Sequence, residues 1–350
     1  MVSKILQSII NITRQRDADT LDMSLVTTLV DIAPVNEISI IKIINENISD
    51  KVKEILRLSI SKNDPDNKNY STDDEANIIV ANSQITESIQ TGSIIKQDQD
   101  GLIYLYIPLL IDNKVTGVLK IESYEDLTEW LSLIEGIVSI YCNHLTIFNE
   151  SERDKLTGLL NRKTFDYKLD KLLETQRKQQ KKYTESNQND ENRHAFTTSS
   201  AWLAMLDIDH FKRINDTFGH LFGDEVILLI SQKLKQFFRS SDLLFRFGGE
   251  EFMIILEPTP AEMAKKTFDC FRKTIADYPF PQISKITVSL GYAMITKNDF
   301  SHVIMGRADQ ALYHAKEHGR NCVYNFEELL ESGEAKEKRK AGTTIYFDNK

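Results

Sequence analysis

The chain has 350 residues, 41% of them hydrophobic and 27% charged, with a formal net charge of -9. That length favours two domains, and the composition is that of a globular protein, which excludes wholesale disorder and fibrous repeats. The acidic balance argues against a surface devoted to DNA, where affinity rests on neutralising phosphates, but leaves room for a local basic pocket for one nucleotide. The cysteines (Cys142, Cys270 and Cys322) are widely spaced and odd in number. They support neither a disulfide framework nor a thiolate zinc site. No run approaches the ~20 apolar residues that cross a bilayer; the longest, Leu102 to Ile111, is interrupted by Pro108 and stopped by Asp112. Residues 1–14 lack the apolar core and small-residue cleavage site of a signal peptide. The expectation is a soluble, cytoplasmic protein of a reducing compartment, with no membrane span.

The first region, residues 1–123, carries a strand pattern at Ile38 to Ile44 and a polar stretch from Ser61 to Asp74 expected to be a loop. Strands follow at Gly101 to Ile111 and Val115 to Ile121. Asp112-Asn113-Lys114 between them has the chemistry of a hairpin turn. The pattern fits a small α+β sensory module. From residues 124 to 153 the spacing is helical: Leu127, Leu131, Ile134, Val138, Tyr141, Leu145 and Phe148 recur at steps of three and four. About thirty residues of helix would span roughly 45 Å. The stripe suits either a two-stranded coiled coil or a helix packed on its own domain. Its place between two globular regions favours the dimeric connector.

Residues 154–328 alternate helix and strand. Ala201 to Leu206, Leu243 to Phe247, Phe252 to Leu256, Lys285 to Leu290 and Cys322 to Asn325 are expected strands. Phe211 to Phe218, Leu221 to Phe238, Ala261 to Ala276 and Phe300 to His318 are expected helices. The Gln-, Lys- and Asn-rich stretch 176–200 lacks apolar period and is expected to be a mobile surface insertion. The polar tail 329–350 is expected to fray.

The densest polar cluster, Leu206-Asp207-Ile208-Asp209-His210-Phe211, stands where a buried strand gives way to a helix. An acid at such a strand end can hold a cation, and the helix start offers free amides to phosphate. A second acidic pair lies in Phe247-Gly248-Gly249-Glu250-Glu251-Phe252. If the two strands are neighbours, Asp207 and Glu250 converge. Two carboxylates roughly 4 Å apart repel by about 4 kcal/mol at an effective dielectric near 20, which a divalent ion would remove. Hard oxygen ligands favour Mg²⁺ or Mn²⁺. Either motif alone is commonly a helix cap or a plain turn. Their coincidence with Phe211-Lys212-x-x-Asn215-Asp216, Gly219-His220-x-x-Gly223-Asp224 and Lys316-x-x-x-Arg320 points to a site. Asn215 and Asp224 supply the amide and carboxylate that read a guanine edge, and adenine would leave the acid unpaired. Lys316 and Arg320, four apart on one expected helical face, could grip a triphosphate.

The stretch from Asp154 to Asn325 resembles a GGDEF domain, the diguanylate cyclase family. It carries Asp154-x-Leu156-Thr157-Gly158-Leu159-x-Asn161-Arg162 at its start, then the Asp207 to Asp216 block and the Gly248-Gly249-Glu250-Glu251-Phe252 signature. Ala315-Lys316-x-x-Gly319-Arg320-Asn321 lies near its end. The resemblance covers about half the chain and implies a palm-like central sheet flanked by helices, as in nucleotidyl cyclases. It implies that Asp207, Glu250 and the Ile208 carbonyl hold Mg²⁺ (or Mn²⁺), that Glu251 supports the metal or the attacking hydroxyl, and that Asn215 and Asp224 bind guanine. Phe211, Lys212, His220, Lys316 and Arg320 would complete the GTP site. The implied reaction condenses two GTP into cyclic di-GMP and two pyrophosphates. Since each domain binds one GTP, the active form would be a homodimer. Arg239-x-x-Asp242 matches the family's product-inhibition motif; on a second face, only Lys266 and Arg272 near Cys270 are candidates to complete it. Residues 1–123 resemble a GAF domain, chiefly through Ile107-Pro108-Leu109 and Val115-x-Gly117-Val118-Leu119, which implies a module that either binds a small ligand of unspecified kind or only dimerises. The competing reading is a non-catalytic GGDEF module that binds GTP or cyclic di-GMP and signals through protein contact; such modules usually lose an acidic residue that this chain keeps.

Overall fold

The computed structural model describes residues 2–15, 17–43, 51–61, 64–186, 200–280 and 285–336. The chain divides into two compact units, Met1–Ser151 and Glu152–Lys350.

The first unit begins with helices α1 (Val2–Arg14) and α2 (Ala18–Ile32) and strands β1 (Glu37–Ile43), β2 (Lys51–Ser61) and β3 (Asp64–Val80). Helix α3 (Ser83–Thr91), strands β4 (Ile95–Gln99), β5 (Leu102–Ile111) and β6 (Lys114–Ser123), and helix α4 (Leu131–Ser151) follow. The strands form one sheet in the order β3-β2-β1-β6-β5-β4, antiparallel throughout. Side chains alternate across it. Ile38 and Ile40 join Leu25 and Leu29 of α2 and Ile134 and Tyr141 of α4 on one face, whereas Ile41 packs with Val52, Tyr106, Val118 and Ile85 of α3 on the other. Asp17 caps α2 by accepting from the Thr20 amide, satisfying one of the donors every helix start leaves free. The expected β5–β6 hairpin is present. Asp112 and Asn113 take φ of 51° and 61°, and Ile111 pairs with Lys114, the two-residue turn whose twist matches the strands.

Two expectations for this unit are corrected. The polar stretch 61–74 is largely strand, because β2 and β3 form a hairpin that ends the sheet. An edge strand draws its ladder bonds from the backbone and tolerates polar side chains, so its composition resembled a loop. The stripe assigned to a connector is core: Leu127, Ile134, Val138, Tyr141 and Leu145 are all buried in their own unit. The helix starts at Leu131, and most of this stripe is packed within its own unit. By length and composition α4 is also apolar enough to cross a bilayer, yet this same face is packed against the sheet.

The second unit contains β7 (Leu160–Asn161), α5 (Arg162–Ser186), β8 (Ser200–Ile208), α6 (Phe211–Phe218), α7 (His220–Phe237), β9 (Leu243–Arg246) and β10 (Glu251–Thr259). It continues through α8 (Ala261–Ala276), β11 (Val288–Met294), α9 (Ser301–Glu317), β12 (Val323–Asn325) and α10 (Phe326–Glu331). The sheet order is β12-β11-β8-β10-β9-β7, with β8 at the centre, antiparallel to β10 and β11. Alternation along β8 builds two cores. Trp202, Ala204, Leu206 and Ile208 meet α7 and α8 through residues such as Ile230, Phe268 and Phe271. Leu203 and Met205 meet α5 and α9 through Phe165, Leu169, Ala308 and Leu312. Gly291 sets how closely α9 approaches. A Cβ there would lie 1.9 Å from the Leu312 amide nitrogen, so any side chain would push the helix off the sheet.

The expected elements are found with small shifts, the largest at β11, which begins at Val288 rather than Lys285. Residues 176–186 belong to α5, so the first part of the expected insertion is helical; 187–199 lie outside the described residues. The tail is not frayed throughout, since Leu329 is buried with Phe326 in the α9 core; 337–350 lie outside the described residues.

Candidate active site

Strand β8 carries Asp207 on the same side of the sheet as Leu203 and Met205. Ladder pairing places Asp207 opposite Glu251 of β10 on one side and Ser289 of β11 on the other. The Ile208 amide donates to the Glu250 carbonyl at 3.4 Å, which fastens the Gly-Gly turn to the end of β8. Acids more than forty residues apart in sequence thus gather at one strand end. Asp207 is 5% exposed and pairs with Lys316 at 2.9 Å. Burial still holds its carboxyl above the usual range against that lysine. Glu250 and Glu251 are raised too, first by burial and then by the charge of Asp207. One lysine does not neutralise this cluster, and raised carboxyls at a strand end mark a place suited to a cation.

A brace holds the turn from behind. Arg246 donates to the carbonyls of Gly248 at 3.2 Å and Gly249 at 3.0 Å and pairs with Asp154 at 3.1 Å. Asp154 also accepts from the Thr157 amide and hydroxyl, so the motif opening this unit is tied to the acidic turn. Arg246 was not singled out from sequence. Its one signal was an Arg two residues before a Gly-Gly pair. Asp209 plays a comparable part. It is buried and accepts from the Thr287 and Ser289 hydroxyls and the Asn321 amide, which pins the loop after β8 to β11 and to the segment after α9. The hydroxyls two apart at the start of an apolar strand were the available clue.

The residues expected to read the nucleotide gather at the α6–α7 junction. The Asn215 side-chain oxygen is buried without a hydrogen-bond partner, and a Cβ on Gly223 would come within 2.0 Å of it. Gly223 therefore keeps α7 close to Asn215 and sets Asp224, the next residue, at the same junction. An orphaned buried acceptor costs about 1–3 kcal/mol, and a ligand donor would relieve it. Asp224, Lys212 and His220 are exposed.

Two expected roles change. The Phe211 ring is buried in the core, leaving only its backbone amide, at the start of α6, to face a phosphate. Arg320 does not share a helical face with Lys316, because α9 ends at Glu317 and Arg320 lies in the following loop with φ 59°. Its charge nonetheless reaches Asp207 and offsets a little of the upward shift that burial imposes there. Asp242 closes the turn after α7, accepting from the Arg239 amide at 3.1 Å and the Glu257 amide at 3.2 Å, while Arg239 is exposed. Of the second-face candidates, Lys266 is exposed, and Arg272 is engaged by Asp269 and Asn321.

Residues 181–322 match the family described as diguanylate cyclase, GGDEF domain. The diguanylate cyclase DgcP of Pseudomonas aeruginosa is 45% identical over 34% of this chain and 18% of its own length. Diguanylate cyclase A of Treponema denticola is 30% identical over 69% of this chain and 64% of its own. The solved coiled coil and GGDEF domain of DgcB from Caulobacter crescentus, in complex with c-di-GMP, aligns at 30% identity with a TM-score of 0.47. That alignment covers 57% of this chain and all of that one. The chain spans less than two thirds of the length of either curated relative. Its second unit carries the Gly248-Gly249-Glu250-Glu251-Phe252 signature at the turn between the adjacent antiparallel strands β9 and β10, and residues 181–322 within that unit are similar to the GGDEF domain of diguanylate cyclases.

Proposed function

We propose that the chain is a diguanylate cyclase that condenses two GTP into cyclic di-GMP and two pyrophosphates. The observation that carries this is the convergence of Asp207, Glu250 and Glu251 at one strand end, with all three carboxyls held above their usual range. Asp207, Glu250 and the Ile208 carbonyl would hold a divalent ion, and oxygen donors of this kind suit Mg²⁺ or Mn²⁺. When bound, the ion supplies charge neutralisation at the phosphoryl oxygens and acidifies the attacking hydroxyl. Lys316, now on Asp207, lies where it can turn to a phosphate, with Arg320 beside it. The start of α6, which no side chain caps, offers backbone amides to a phosphate. Asn215 and Asp224 read guanine. Glu251 is positioned to take the proton of the 3′-hydroxyl as it attacks the α-phosphate of the second GTP.

Bond formation needs two such domains face to face, so the working form is a homodimer. Arg239 and Asp242 form a site where cyclic di-GMP inhibits; Asp242 is already fixed in its turn, and Arg239 is the group available to clamp phosphate or guanine. Arg239→Ala should then relieve inhibition by added product, and an unchanged dose-response would remove this site. The first unit acts as a GAF-like sensory module for a small ligand. It is supported by an antiparallel sheet between helices and by a cavity of about 340 Å³ between β5 and α4, edged by Pro108, Glu135 and Cys142. The non-catalytic alternative is disfavoured by the intact acids. Incubating the full chain with GTP and Mg²⁺ and identifying products by mass separates the two: cyclic di-GMP supports the enzyme, and bound but unconverted GTP supports the binding module.

A further inference from the structure

The C-terminal end of α9 carries a second group of ligating side chains on the surface. His314 and His318 are one helical turn apart, and their rings stack with centroids 3.7 Å apart. Glu334 meets His314 Nε2 at 3.2 Å, and the ligand atoms of His314, His318 and Glu334 all lie within 4.8 Å of one another. Donors around a tetrahedral ion at about 2.1 Å stand roughly 3.4 Å apart, so side-chain rotation alone can bring the three together.

Their surroundings hold these groups in place. His318 Nδ1 lies 2.9 Å from the His314 carbonyl. A carbonyl only accepts, so Nδ1 carries the hydrogen and Nε2 keeps its lone pair, the arrangement found in ligating histidines. The His314 ring packs edge-on against Tyr324 at 4.5 Å. Glu334 is not on a loose tail, since its amide donates to the Leu329 carbonyl at 2.9 Å. Two imidazoles in face contact repel when both are protonated, whereas one ion bound between them and Glu334 replaces that repulsion with three attractive contacts.

We propose that His314, His318 and Glu334 form a binding site for a borderline divalent transition ion of the Zn²⁺ class, separate from the acidic cluster. Two imidazoles and one carboxylate select such ions over Mg²⁺, which prefers oxygen donors. A water would fill the fourth position. The bound ion ties the turn after α10 to the end of α9, the helix that delivers Lys316 to Asp207.

The test is a calorimetric titration of the full chain with Zn²⁺ in excess Mg²⁺, so that the acidic cluster is already supplied. One equivalent should bind, with an upward shift in Tm. In His318→Ala, whose side chain is exposed and whose fold is checked by circular dichroism, affinity should fall at least about tenfold and the Tm shift should vanish. Glu334→Gln should weaken binding and keep the two-histidine contact. Absence of Zn²⁺ binding to the unaltered chain, or unchanged binding in His318→Ala, would overturn the proposal.

Discussion

Both units build a six-stranded sheet against helices, and both bury an acid beside a lysine, but the two acids are treated differently. In the first unit Asp22 is 3% exposed. Lys42 holds one of its oxygens at 2.9 Å, and the Tyr141 hydroxyl donates to the other. Burial and that aspartate push the Tyr141 hydroxyl well above its usual range, so it stays protonated as the donor. In the second unit Asp207 has a single lysine, and the glutamates beside it share the same field. A buried acid with both oxygens engaged pins a helix to a sheet. An acid left in a cluster that repels itself is poised for a ligand. The contrast gives one unit's buried charge a structural part and leaves the other's open to a ligand, from similar residues.

The sharpest way to break that contrast is Asp207→Asn. Turnover should fall by about 10²–10³-fold, since several kcal/mol of charge stabilisation would be lost, with secondary structure intact by circular dichroism. Near-normal turnover would move the chemistry elsewhere. Arg246→Ala should follow at about 10²-fold in kcat, because the Gly-Gly turn loses its brace and misplaced groups react slowly. A change confined to KM would argue against this positioning role. Asp22→Ala should cost about 1–3 kcal/mol in denaturant unfolding, by stranding Tyr141 and freeing Lys42, with no loss of GTP chemistry in the folded protein. Asp224→Ala should raise the KM for GTP by about tenfold, or admit ATP, as one charged hydrogen-bonding partner is removed; unchanged selectivity in steady-state assays would take it out of the guanine site.

The smallest effect concerns pH. Asp207, Glu250 and Glu251 have folded values above the ordinary 3.8 for Asp and 4.5 for Glu. Their penalty on folding is absent below those ordinary values, grows as pH rises through the folded values, and is fully present above them. Asp154 and Asp269 are shifted the other way, so the comparison must be with a variant. Glu250→Gln should be as stable as the unaltered metal-free chain at pH 4 and somewhat more stable at pH 7. Parallel stability curves for the two would contradict the reading of strain at this site.

The site was legible wherever side-chain chemistry recurred at fixed spacing. The Asp207 and Glu250 motifs lie on strands that are neighbours, as expected, because a buried β8 needs β10 and β11 beside it. Features that depend on packing partners were not legible. The stripe of α4 satisfies a coiled coil and a core equally well, and only the sheet beneath it decides. The β2–β3 hairpin was hidden because backbone bonding at a sheet edge leaves no apolar signature. Arg320 was misplaced by extending a helix period beyond Glu317, past the glycine where the chain turns away.

The most direct measurement is the rate of cyclic di-GMP formation by the full chain and by Glu250→Gln, each titrated with Mg²⁺ and then Mn²⁺. The account predicts product and pyrophosphate from the unaltered chain in proportion to bound metal, and next to none from a folded Glu250→Gln at any concentration of either ion. An equal rate from Glu250→Gln, with the same dependence on metal, would contradict it.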